Sequence, residues 1–156
     1  MFRELTRKKQ QLTDNECREL LKKEVRGVLA LLGDDAYPYT VPINHYYDEK
    51  EHRIYFHSGK FGHKIDAIKK HPKASFCVYD SGYHEDGHWS LNIKSVILFG
   101  KITILPNVPE EKIIALCHKF TENDTYIQNE IKAFSANTLV FVLDIEHMTG
   151  KLVNEA

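Results

Sequence analysis

The sequence has few cysteines, no long apolar run and no excess of charge of either sign, and each shortage excludes a class of protein. Its three cysteines, Cys17, Cys77 and Cys117, lie far apart and form no CxxC pair. An odd count without close spacing builds neither a disulfide framework nor a thiolate zinc site. No stretch approaches the ~18 consecutive apolar residues of a membrane span. The opening MFRELTRKKQQLTDNE is charged rather than shaped like a signal peptide. These absences predict a cytoplasmic protein without membrane association. The formal net charge is −1, so no general attraction to nucleic acid is expected, and any anion site must be local. Internal repeats, low-complexity tracts and linkers are also lacking. The 156 residues, 42% hydrophobic and 28% charged, predict a single domain over 1–156, long enough to bury a core.

What is present reads as strands joined by short turns. Thr13-Asp14-Asn15-Glu16 is a capping box, because Thr13 and Glu16 can satisfy each other's backbone donors. It opens a helix at about 14–24 with Cys17, Leu20 and Leu21 facing inward. VRGVLALLG reads as a buried strand, GDDAYP as a hairpin turn and TVPINHYYD as a second strand. Proline cannot donate to a ladder, so Pro42 belongs at an edge, a bulge or a ligand-facing position. RIYFHS is the third strand. A helix at 62–71 is stopped by Pro72, and KASFCVYD is the fourth strand. The long strand at 93–105 should bend or bulge at Gly100. Pro109 starts another helix, with Ile113, Leu116 and Phe120 at helical spacing. TLVFVLDIEHMTGKLVN adds one or two more strands. Six or seven strands with two or three helices, not in strict alternation, predict a mainly β fold. A closed or nearly closed antiparallel barrel at about 26–146 with peripheral helices fits the pattern.

Two motifs fail on context. His84-Glu85-Asp86-Gly87-His88 spells the HExxH of zinc proteases, which needs a helix to place both histidines on one face. The surrounding YDSGYHEDGHW is rich in glycine and aspartate and predicts turns, so no metal site is assigned. Gly59-Lys60-Phe61-Gly62-His63-Lys64 has the wrong glycine spacing for a Walker loop and lacks Ser or Thr after the lysine. The physics of that junction survives the failed motif. A helix start offers unpaired N–H groups and the positive end of the dipole. Ser58, His63 and Lys64 add donors and charge, which suits a phosphate or carboxylate. From the residues alone, an anion site and a plain solvated helix start both stay open. No G-x-S-x-G elbow is present, and no residue is identified as catalytic. Trp89 and Tyr83 could wall a flat ligand or simply pack in the core.

Three segments in order, YPYTVPINHYYD, IYFHSGKFGHKIDAIKKHPKASFCV and KSVILFGKITIL, resemble the flavin-binding split-barrel proteins. Within that group they resemble the branch related to nitroimidazole-resistance proteins, distant relatives of pyridoxamine 5′-phosphate oxidase. The resemblance runs over residues 27–105, and the helix-then-strand ending agrees. It implies a six-stranded antiparallel split β-barrel, a homodimer, and one FMN in each of two clefts between the subunits. It maps the ring-lining backbone to Thr40, Val41, Pro42, Ile43 and Asn44, and the phosphate site to His57, Ser58, His63 and Lys64. By the same resemblance, Ser95 and Val96 would approach the cofactor, from the same subunit or from its partner. Where the oxidase branch has Arg-Lys, this chain has His63-Lys64, one permanent charge fewer. The implied activity is an FMN-dependent reductase of small electron-poor acceptors such as nitro compounds or quinones. NADH or NADPH would bind transiently, since no nucleotide-binding glycine fingerprint is present. A flavin or haem carrier without turnover is the alternative, and vitamin B6 oxidation ranks lower because the basic substrate-phosphate residues are not evident.

Overall fold

A computed structural model describes residues 2–134 and 137–154 of the chain. Helix α1, Asp14–Lys23, begins where the capping box places it. The Glu16 N–H donates to Thr13 Oγ1 at 3.3 Å, and the Thr13 N–H donates to the Glu16 carboxylate at 2.9 Å. Then come β1 Arg26–Leu32, β2 Pro38–Asn44, β3 Tyr46–Asp48 and β4 Arg53–Gly59. Helix α2, His63–Lys70, leads to β5 Lys73–Tyr79, the two-residue β6 Tyr83–His84 and the long β7 Leu91–Ile104. Helices α3, Glu110–Cys117, and α4, Asp124–Phe134, precede the final strand β8, Thr138–Asn154. No helix among the described residues is long and apolar enough to cross a membrane.

All strand pairings are antiparallel, and the sheet order is β2-β1-β5-β7-β8-β4-β3, with β6 paired to β7. The two edges, β2 and β3, are neighbours in the chain, separated only by His45. Consecutive Cα atoms lie about 3.8 Å apart, so one residue can bridge two sheet edges only if the sheet curls until they meet. The fold is therefore a curled antiparallel barrel with helices on its outside. Seven strands make up the continuous order, within the six or seven that the sequence pattern predicts and one more than the six-stranded barrel that the resemblance implies. The excess arises at His45, where the segment expected to be one strand crosses between edges. At the other end the last segment stays a single strand, so the sheet continues to Asn154 rather than ending near residue 146.

His45 is fully buried. Its Nε2 lies 2.9 Å from the Leu21 carbonyl at the end of α1, and its ring meets Phe76 edge-on at 5.1 Å. Lys119 reaches in from beyond α3 and donates to the carbonyls of Leu21, Glu24 and His45. Burial lowers its pKa to about 8. The junction is thus tied to a helix end on both sides. Gly100 forms the expected bulge, where the β7–β8 register shifts. A Cβ there would stand 2.0 Å from the Asp144 carbonyl oxygen, so only glycine fits.

Alternation along the strands sends Leu29, Leu31, Ile54, Phe56, Phe76, Val78, Leu98, Phe141 and Leu143 into the barrel core, which α1 and α2 cover with Leu20, Leu21, Ile65 and Ile68. A second, smaller core lies between β4, β8 and the α3–α4 hairpin: Tyr55, Ile113, Val140 and Val142, with Cys117 and Ile131 against it. Lys112 on α3 pins the hairpin to the β3–β4 turn through Asp48 at 2.5 Å and Glu51 at 2.9 Å. The HExxH segment is not helical. It consists of β6 and a turn with Gly87 at φ 79°.

Candidate functional site

The site begins with the period-two alternation of β4. Ile54 and Phe56 point into the barrel, whereas Tyr55 lies in the smaller core on the α3–α4 side, the face it shares with His57. Pairing His57 with Val140 and Ser58 with Leu139 fixes this register. The strand ends at Gly59, and the loop carries Phe61, 90% exposed, at its tip. Gly62 holds φ 117° at the cap of α2, a conformation that suits glycine because no Cβ is present. No side chain caps this helix start. Ile65 and Ile68, three apart and buried, then set the orientation of the helix.

That orientation leaves Lys64 half-buried. Among the described residues it has no ion-pair partner, and burial alone lowers its pKa. The pKa of His57 is also lowered, first by its own burial and then by the Lys64 charge. The two side chains are therefore within electrostatic reach of each other. Desolvating a cation without a counter-charge is unfavourable, and an anion at this point would relieve it. Lys64, the Ser58 hydroxyl and the uncapped first turn of α2 fit a phosphate in charge and in donor chemistry.

His63 does not point the same way. Its ring stacks on Tyr39 at 4.1 Å, and its Nε2 lies 3.6 Å from Asp34, which also pairs with Lys70 at 2.9 Å. The stack joins α2 to β2 and so brings the edge strand beside the start of α2. Along β2, Thr40 and Pro42 are exposed, Asn44 is half-buried and bonded to Arg26 at 2.9 Å, and Val41 and Ile43 face inward. Pro42 stands on an edge strand, as its missing N–H requires. The outer edge of β2 pairs with no other strand among the described residues, which leaves backbone donors and acceptors available.

Ser95 and Val96 lie elsewhere. Val96 is fully buried in the core. Ser95 sits on the outer face in register with Tyr79 and Lys151, and β7 is three strands from β2, about 14 Å at the usual strand spacing. Trp89 and Tyr83 are exposed, at 79% and 47%, so neither is a core residue. Sequence reasoning missed Tyr39 and Asp34, which orient His63, because both contacts are tertiary. The Tyr126 N–H donates to the Asn123 side chain at 3.0 Å. That cap marks the start of α4 and could have been read from Asn123-Asp124.

The family model described as pyridoxamine 5′-phosphate oxidase matches residues 13–152. A candidate 5-nitroimidazole antibiotic resistance protein from Bacteroides thetaiotaomicron has a similar crystal structure, with a TM-score of 0.76 and 18% identity over 92% of this chain and 87% of that one. An FAD-binding protein from Mesorhizobium loti is similar with a TM-score of 0.64 and 25% identity over 92% and 96% of the two chains. The FAD and haem binding protein from Mycobacterium smegmatis gives 0.73 and 19% over 94% and 74%. No curated protein matches the sequence. The chain belongs to the pyridoxamine 5′-phosphate oxidase family, a flavin-binding family of split barrels.

Proposed function

We propose that the protein is an FMN-dependent oxidoreductase that takes hydride from a transiently bound NADH or NADPH and reduces a small, planar, electron-poor acceptor such as a nitro compound or a quinone. The observation that carries this reading is the half-buried Lys64, without a counter-ion among the described residues, at the uncapped start of α2 beside an exposed sheet edge. When bound, FMN supplies the two-electron chemistry. The residues of the chain bind and orient. Lys64, Ser58 and the first-turn N–H groups hold the phosphate, and the backbone of Thr40 to Asn44 meets the polar edge of the ring. His57 stays neutral near neutral pH because burial and Lys64 oppose its protonation, so it takes part as a hydrogen-bonding group rather than a charge.

The working unit in this reading is a homodimer with the flavin between subunits. The outer sheet face carries Val28, Ala30, Cys77 and the exposed Tyr79, Ile97 and Phe99, a patch that a second copy would cover. Ser95 lies on that face about three strand spacings from its own β2, and so suits a role across the interface. Stopped-flow mixing of the FMN-loaded protein with NADH or NADPH, followed by a nitroaromatic or quinone, tests the activity. Bleaching of bound FMN faster than of free FMN, then reoxidation by the acceptor, is expected. Equal rates would leave the carrier reading in place, and an added Soret band in the purified protein would point to haem.

A further inference from the structure

The α3–α4 hairpin does not close completely on the barrel. Between it and strands β4 and β8 lies a cavity of about 160 Å³, close in size to cavities that hold a single benzene ring. Val108, Ile113, Cys117 and Ile131 wall it, His57 and Thr138 stand on the barrel side, and Glu110 and Glu130 complete the lining. Neither glutamate has an ion-pair partner among the described residues. The Glu130 charge acts on the Cys117 thiol, whose pKa is raised first by burial and then by that carboxylate. The carboxylate is therefore close to the apolar wall. His57 adds no positive charge near neutral pH.

An apolar slot one ring in size, edged by two uncompensated carboxylates, complements a ring that carries a cation. We infer that this cleft binds a small monocyclic aromatic amine, with its ring between Ile113, Cys117 and Ile131 and its ammonium toward Glu130 and Glu110. The site is distinct from the anion cradle, which lies at the start of α2 and calls for the opposite charge. The two share only His57, so the inference does not depend on the flavin reading.

Isothermal titration of the full chain with benzylamine, benzyl alcohol and benzoate tests it, because the three share a ring and differ in charge. Benzylamine is expected to bind most tightly and benzoate not at all. Glu130→Gln should weaken benzylamine about two- to fivefold, the yield of a partly exposed ion pair, and leave benzyl alcohol unchanged. Ile131→Trp, which fills the slot, should abolish binding of both. Absence of benzylamine binding at millimolar concentration, or benzoate binding as tightly as benzylamine, would overturn the inference. So would an unchanged affinity in a folded Ile131→Trp. If that variant does not fold, the charge selectivity lost in Glu130→Gln decides alone. Flavin uptake, measured separately, is expected to survive Glu130→Gln.

Discussion

Acidification should loosen the barrel at His45 in particular. The imidazole is fully buried where the two sheet edges meet. Burial pushes its pKa down to about 3, the Lys119 charge adds to the effect, and the hydrogen bond to Leu21 opposes it. The folded pKa thus lies below the unfolded value of about 6.5, and the unfolded chain takes up this proton first. The stability linked to His45 is fully present above about pH 6.5 and is lost as the pH falls from there toward 3. Each unit in that window is worth about 1.4 kcal/mol, so bringing the protein from near pH 7 to about pH 4.5 should remove about 2–3 kcal/mol. That is a large part of the 5–15 kcal/mol typical of a domain. Urea unfolding at both pH values, on the wild type and on His45→Gln, measures it. Glutamine can still donate toward the Leu21 carbonyl but does not titrate, and the carboxylates that protonate in the same window are common to both proteins. The variant should therefore lose about 2–3 kcal/mol less than the wild type over this range. Equal losses in the two proteins would refute the reasoning.

Replacing Lys64 by Met should weaken FMN binding by about 1.5–3 kcal/mol, the scale of a hydrogen bond to a charged group. The melting temperature of the flavin-free protein should hold or rise, because an uncompensated buried cation is removed; fluorescence titration and a thermal scan read the two effects. Gly100→Ala should cost about 1–3 kcal/mol in urea unfolding, as overpacking does, since its Cβ would lie 2.0 Å from the Asp144 oxygen; an unchanged midpoint would show that the bulge can shift. The FMN-loaded protein should sediment as a dimer at micromolar concentration and Phe99→Arg as a monomer, because a charge on the outer sheet face cannot be buried unpaired. A wild type that sediments as one chain would remove the shared cleft.

Much of this structure could be read from short-range sequence signals. The capping box at Thr13 and Glu16 follows from local backbone chemistry, which also narrows Pro42 to an edge, a bulge or a ligand-facing position and Gly100 to a bend or a bulge; strand pairing then decides between these. Closure of the barrel at His45 was not legible, because it depends on which strands pair across the whole chain and nothing local marks the crossing. Helix α4 is not legible either, for a related reason: the helical spacing of Phe120 with Ile113 and Leu116 predicts one continuous helix, yet Phe120 is 51% exposed beyond the end of α3. In the candidate site, the strand–helix junction that carries Ser58 and Lys64 is legible in the sequence. The direction of His63 is not, since Tyr39 and Asp34 set it from another strand and turn. The burial of Val96 follows from the pleat of β7 once the face of that strand is known.

The central claim is that the start of α2 holds the phosphate of a flavin. Titration of the flavin-free wild type with FMN and with riboflavin, followed by flavin fluorescence, tests it most directly, because the two ligands differ only in that phosphate. Tighter binding of FMN by about 10- to 100-fold is predicted, in line with a charge-assisted contact from Lys64. Riboflavin binding as tightly as FMN would contradict it.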